Sequence, residues 1–160
     1  MRNISLEEQV VSLLIEKNLS ITTVESCTAG LIGATLVNVP GVSKVYSEGY
    51  ITYSNSAKVK LVSVKRETLD RYGAVSKEVA IEMVEGAVSK SKADVGISAT
   101  GVAGPDGGSL DKPVGLLYIG LSIKGDTQVH EFQLHGNRQE NRMETVEEGF
   151  KLLIKELKKI

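Results

Sequence analysis

Four consecutive residues, Glu25-Ser26-Cys27-Thr28, place a carboxylate, a hydroxyl, a thiol and a second hydroxyl side by side. A β-branched run precedes them at 21–24, and an apolar, small-residue run follows at 31–39. That order reads as a buried strand, a tight turn and a helix. The first N–H groups of a helix are free and its dipole favours negative charge, so a nucleophile and an oxyanion site could be built here. The simpler alternative is that Ser26 or Thr28 only caps the helix.

Lys58 bears on that choice. With Asn55 as N-cap it falls at the third helical position, where a cation opposes the dipole at a cost of roughly 0.3–1 kcal/mol. An exposed lysine can tolerate that penalty. A lysine kept neutral by burial and the dipole can instead deprotonate a serine. Ser26 and Lys58 therefore form the candidate nucleophile and base. Tyr53, at the end of the preceding strand, relays a proton, fixes the geometry, or simply packs. Cys27 could gain thiolate character at a helix start. Its usual partner is histidine, and the two present, His130 and His135, fall on or just beyond the last strand. Cys27 is accordingly read as lining the turn.

Anion-binding chemistry collects in two further places. Residues 101–108 (Gly101-Val102-Ala103-Gly104-Pro105-Asp106-Gly107-Gly108) form a glycine-rich loop of the kind that crowds backbone N–H groups around an anion. Arg138 and Arg142 stand one turn apart in the first turns of a helix, where cations are disfavoured unless an anion compensates. The alternative there is a solvated face beside Glu140 and Glu144. The substrate-binding candidates are thus Cys27, Thr28, Thr100, Gly101, Val102, Ala103, Gly104, Asp106, Gly107, Gly108, Arg138 and Arg142, with no metal ligand among them.

These residues need elements to hold them. Ser5-Leu6-Glu7-Glu8 is a capping box for a helix to about Lys17. A helix over 31–39 stops at Pro40-Gly41, and β-formers over 46–53 predict a strand. Helices follow over 56–62 and 65–71, then a longer one capped by Ser76 with Val79, Met83, Val84, Ala87 and Val88 on one face. Residues 94–100 read as a buried central strand. A hairpin over 113–124 and 127–134, turning at Gly125-Asp126, leads to a last helix. That helix starts at Asn137, with Met143, Val146, Phe150, Leu153 and Leu157 as its stripe. Helices between the first three strands imply parallel pairing. The expected fold is a three-layer α/β/α sandwich on a five-stranded mixed sheet, three strands parallel and a C-terminal antiparallel hairpin, in one domain over 1–160. Sites in such sheets form beyond the carboxyl ends of the strands, where the loops at 25–28, 53–58 and 100–108 should converge.

Composition narrows the function. A net charge of −1 over 160 residues gives no electrostatic footprint for nucleic acid, and the absence of tryptophan speaks against base stacking. One cysteine allows neither an internal disulfide nor a cysteine-based zinc site. No signal peptide and no apolar run of spanning length are seen, so no membrane partner and a cytoplasmic location are expected.

Several long motifs in one order then carry a resemblance over nearly the whole chain. They are Glu25-Ser26-Cys27-Thr28-Ala29-Gly30, Gly49-Tyr50-Ile51-Thr52-Tyr53-Ser54-Asn55-Ser56-Ala57-Lys58, Gly73-Ala74-Val75-Ser76, the loop at 101–108, and Lys112-Pro113-Val114-Gly115. The sequence resembles the C-terminal domain family of the competence/damage-inducible protein CinA, whose stand-alone members include nicotinamide-nucleotide amidases. The family more often has Gly at position 29, and Ser-Gly-Ile where Thr100-Gly101-Val102 stand. The resemblance implies hydrolysis of the carboxamide of nicotinamide mononucleotide to nicotinate mononucleotide and ammonia. It implies a serine nucleophile and lysine base matching Ser26 and Lys58 with Tyr53 nearby, no metal or cofactor, and a homo-oligomer. Two alternatives stay open: a nucleotide-binding regulatory module without turnover, and an amidase for a different small amide.

Overall fold

The computed structural model describes residues 2–160. Helix α1 (Leu6–Lys17) starts on the Ser5/Glu8 capping box. The chain then runs through β1 (Ile21–Glu25), α2 (Leu31–Leu36), β2 (Tyr46–Ile51), α3 (Asn55–Val62), α4 (Arg66–Tyr72) and α5 (Lys77–Ser91). It continues with β3 (Val95–Gly101), β4 (Leu116–Ile123), β5 (Asp126–Gln133) and α6 (Arg138–Leu157). The sheet order is β2-β1-β3-β4-β5. β1 pairs parallel with β2 and β3, while β4 pairs antiparallel with β3 and β5. This is the mixed five-stranded sheet expected, with helices on both faces.

Alternation along the strands divides the core. Ile21, Ile97, Ile119 and Leu121 face α1, α2 and α6, packing with Leu14, Ile32, Leu36, Phe150 and Leu153. Val24 faces the other way and packs with Val62, Leu69, Val79, Met83 and Ala87 of α3, α4 and α5. The central strand β3 is sealed on both sides, its even positions holding small residues so that α5 lies close: Ser98 Oγ donates to the Ala80 carbonyl at 2.7 Å. Among the described residues no helix is long and apolar enough to cross a membrane.

Several expected boundaries move. The helix after the 25–30 turn ends at Leu36, and a short 3₁₀ turn, Val42–Lys44, enters before β2. β2 stops at Ile51, because Thr52 and Tyr53 turn away into the α3 cap. That cap is Ser54, whose Oγ accepts from Ala57 N at 3.0 Å, so Asn55 becomes the first helical residue and Lys58 the fourth. The hairpin strand begins at Leu116 rather than Pro113, and its turn is Lys124-Gly125, both with positive φ (50° and 87°). Such a pair suits the twist of a two-residue hairpin. On α6 the Asn137/Glu140 capping box forms, but Met143 is 65% exposed and lies off the buried stripe.

Candidate active site

Ser26 is the residue directly after β1. Its N–H still belongs to the sheet, donating to the Ala99 carbonyl of β3 at 2.9 Å. The chain then leaves the sheet in a turn closed by Ala29 N donating to Ser26 O at 3.0 Å. The turn needs two consecutive left-handed residues, Ala29 (φ 46°) and Gly30 (φ 96°). A β-carbon in that region costs roughly 1–2 kcal/mol, which glycine at position 29 would avoid.

The carboxylate of Glu25 holds the inside of this turn. It is 1% exposed and accepts from Thr28 Oγ1 at 2.6 Å, Ile32 N at 2.8 Å and Gly33 N at 3.1 Å. The positive end of α2 is therefore already occupied by the Glu25 carboxylate, and the helix start itself is not free to receive an oxyanion. Among the described residues the N–H groups of Cys27 and Thr28 have no acceptor. Thr28 is fully buried, whereas Cys27 is partly exposed.

Lys58 comes from the first turn of α3 and reaches inward. Its residue is 1% exposed, and its Nζ lies 2.7 Å from the Thr52 carbonyl and 3.0 Å from Ser26 Oγ. No carboxylate pairs with it among the described residues. Burial drives its pKa down to about 8, opposed only by the nearby Cys27. At that value a useful fraction of the amine is neutral near physiological pH, with one lone pair available to Ser26 and an N–H for Thr52. Cys27 moves the other way: burial pushes its thiol up to about 11, so it is not a thiolate at neutral pH. His130 pairs with Gln128 on β5 at 2.6 Å, on the far edge strand of the sheet.

The remaining candidates are distributed less simply. Tyr53 is 60% exposed, and its hydroxyl meets Arg138 Nη2 at 3.2 Å rather than Ser26 or Lys58. Arg138 also donates from Nη1 to the Gly104 carbonyl at 2.7 Å, so it ties the β2–α3 loop to the loop after β3. Arg142 is not a free clamp. Its Nε donates to the Cys27 carbonyl at 3.0 Å and its Nη2 to the Thr28 carbonyl at 2.9 Å. Thr100 turns its hydroxyl away to the Ala74 carbonyl at 2.8 Å. Within the glycine-rich loop, Gly101 ends β3 and Val102 pairs with Leu116 and Gly115. The carbonyls of Ala103 and Gly104 receive Asn141 and Arg138 of α6. Asp106, Gly107 and Gly108 are exposed. An open cleft of about 560 Å³ lies along Ala103, Gly104, Pro105, Val114 and residues 136–139; neither Ser26 nor Lys58 lines it.

Three features escaped the sequence reading: the capping role of Glu25, the grip of Arg142 on the turn, and Asn141. Asn141 is 3% exposed and joins α6 to the loop after β3 through Ala103 O at 3.0 Å. A polar residue one turn into α6, on its buried side, was the available signal for Asn141. Nothing local to Glu25 distinguishes a cap from a catalytic acid.

The family model described as the CinA C-terminal domain matches residues 3–157. A Clostridium novyi (strain NT) protein described as competence-damage inducible is 51% identical over 154 residues, covering 96% of this chain and 37% of that protein. A CinA-like protein of Dictyoglomus turgidum is 53% identical over 149 residues, covering 93% and 36%. The chain thus spans a little over a third of the length of the curated relatives it matches. A solved CinA superfamily protein from Klebsiella pneumoniae 700603 superposes with a TM-score of 0.95 at 29% identity, covering 99% of this chain and 100% of that one. The competence/damage inducible protein CihA from Agrobacterium tumefaciens gives 0.89 at 37% identity, covering 96% and 98%. With turn, lysine and loops in place and the family model spanning nearly every residue, the chain belongs to the CinA C-terminal domain family.

Proposed function

We propose that the chain hydrolyses the carboxamide of nicotinamide mononucleotide, through Ser26 as nucleophile and Lys58 as base. The observation that carries the chemistry is the buried Lys58 amine, unpaired with any carboxylate among the described residues, 3.0 Å from Ser26 Oγ. The family resemblance carries the substrate.

Neutral Lys58 takes the Ser26 proton as Oγ attacks the carboxamide carbon. The resulting oxyanion is received by the Cys27 N–H. Lys58, now an ammonium held by the Thr52 carbonyl, gives its proton to the departing amide nitrogen, which leaves as ammonia. Water then attacks the acyl-serine with Lys58 again as base, releasing nicotinate mononucleotide and restoring the Ser26 hydroxyl. The pyridinium charge of the substrate makes its carboxamide more electrophilic. Arg138, bridged to Tyr53 and Gly104 at the cleft, is the phosphate ligand. Arg142 is engaged with the turn and is not.

The test is ammonia release from nicotinamide mononucleotide with a chelator present. Turnover that the chelator leaves intact is expected. Nucleotide binding without turnover would replace this reading with a regulatory module, and turnover of other amides alone would move the substrate.

A further inference from the structure

Thr28 is the point at which two oppositely charged side chains meet. From within, Glu25 Oε1 accepts its hydroxyl at 2.6 Å; from α6, Arg142 Nη2 donates to its carbonyl at 2.9 Å. Each charge also holds a neighbouring part of the same turn. Arg142 Nε donates to the Cys27 carbonyl, and Glu25 accepts from the Ile32 and Gly33 N–H groups of α2. Between these anchors the chain adopts the left-handed pair Ala29-Gly30, a conformation that persists only where its surroundings enforce it. Neither charge faces the substrate in the mechanism above, and neither has a salt-bridge partner among the described residues. A buried carboxylate and an arginine fork used on backbone alone are costly arrangements if their only purpose is to end a strand.

We propose that Glu25 and Arg142 are a two-sided clasp whose work is to fix the turn that carries Ser26. The clasp keeps Oγ at Lys58 Nζ and leaves the Cys27 N–H unpaired for the oxyanion. They are positioning residues acting through the 26–30 backbone. Arg142 is a part of α6, so the clasp makes the geometry of the nucleophile depend on the docking of the last helix. The inference rests on the proposed Ser26–Lys58 chemistry, but not on the identity of the amide.

The experiment measures two rates in each variant. One is turnover of nicotinamide mononucleotide. The other is phosphonylation of Ser26 by an alkyl fluorophosphonate, followed by intact mass, which needs the nucleophile and oxyanion site but no nucleotide pocket. Arg142→Gln should lower both the kcat and the labelling rate by about tenfold to a hundredfold, below the full loss of an oxyanion donor. KM and the acid limb of the pH profile should stay in place. Arg142→Lys, which keeps the charge and can reach one carbonyl, should recover part of the rate. Glu25→Gln should show a similar loss. The double variant should be little worse than the weaker single one, because both hold one turn. The proposal is overturned by unchanged labelling in Arg142→Gln, by a loss seen only with the phosphate-bearing substrate, or by strictly additive losses. Losses that simply follow the unfolded fraction seen by circular dichroism would also overturn it, and Arg142→Lys keeps the test available if Glu25→Gln does not fold. If wild type is labelled at Ser26 but does not turn over the mononucleotide, the substrate assignment fails while the clasp is still judged by labelling. If wild type is not labelled at Ser26, both fall.

Discussion

Lys58 is the residue on which stability and chemistry pull in opposite directions. Its amine is buried with no counter-ion among the described residues, so the protonated form is penalised and the pKa sits near 8. An unfolded lysine titrates near ~10.4. Between those values the unfolded chain holds a proton that the folded one has released, so stability rises with pH across the window. Below it both states are protonated and the cost stands in full, on the order of 3 kcal/mol. Lys58→Met should therefore be more stable than wild type at pH 7, by up to that amount, with the two stability curves converging by about pH 10–11. Parallel melting curves at every pH would show that the buried amine carries no such penalty. Activity should behave in the reverse sense. Wild-type kcat should rise through a pH near 8 as the amine loses its proton. Lys58→Arg should be as inactive as Lys58→Met, since guanidinium stays protonated. The neighbouring thiol gives the complementary case. With its pKa near 11 and its side chain against the core, Cys27 is a spacer, so Cys27→Ala should keep most of the turnover that Ser26→Ala abolishes. An active serine variant and a dead cysteine variant would reverse the assignment.

At the scale of the element, the architecture was legible wherever a pattern has one physical meaning. Capping boxes at Ser5/Glu8 and Asn137/Glu140 each mark one helix start, and both form as expected. The meeting of Ser26 with Lys58 was legible for a similar reason, since a lysine in the first turn of a helix is unfavourable as a cation and fits better where burial keeps its amine neutral. What failed depends on which of two adjacent groups wins. Ser54 and Asn55 are both good caps, and backbone direction at the end of β2, not propensity, selects Ser54. Tyr53 reads as the end of a strand over 46–53, and the resemblance puts it near Ser26 and Lys58. The strand ends at Ile51, and the ring swings out to Arg138. Arg142 was unreadable because nothing in a sequence says that an arginine will be met by carbonyls 114 and 115 residues away. The position of α3 has its own distant support. Gly86 of α5 passes so close to the end of α3 that a β-carbon there would run into the Val62 carbonyl. Gly86→Ala should push α3 outward and cost about 1–3 kcal/mol, as overpacking does. The displacement should withdraw Lys58 from Ser26 and lower kcat at a temperature where the variant is still folded. A variant that loses stability but keeps wild-type kcat would show that α3 can yield without moving its first turn.

For the molecule as a whole, the loops following β1, β2 and β3 gather at one end of the sheet, and the start of α6 closes them. The two arginines of α6 looked equivalent in sequence, one turn apart on one face. Their surroundings separate them. Arg142 faces the Ser26 turn and its fork is occupied by carbonyls. Arg138 faces the cleft, held by one hydroxyl and one carbonyl that an anion can outcompete, beside the exposed N–H-bearing loop at 106–108. In the proposed reaction the carboxamide lies at Ser26, whose turn Arg142 holds, and the ribose phosphate lies at Arg138, so α6 touches the substrate at one end and supports the nucleophile at the other. Arg138→Ala should raise KM for nicotinamide mononucleotide by the value of a charged hydrogen bond, about 1.5–3 kcal/mol, with kcat little altered. Nicotinamide riboside, which lacks the phosphate, should be a poor substrate for wild type and change little in the variant. Because Arg138 also ties Tyr53 to Gly104, Tyr53→Phe is the control. It removes one end of the tie but not the charge, and should leave the preference for the phosphorylated substrate intact. Equal losses on both substrates in Arg138→Ala would mean that the bridge supports the loops rather than the phosphate, and the anion would then have to be bound by the loop N–H groups alone.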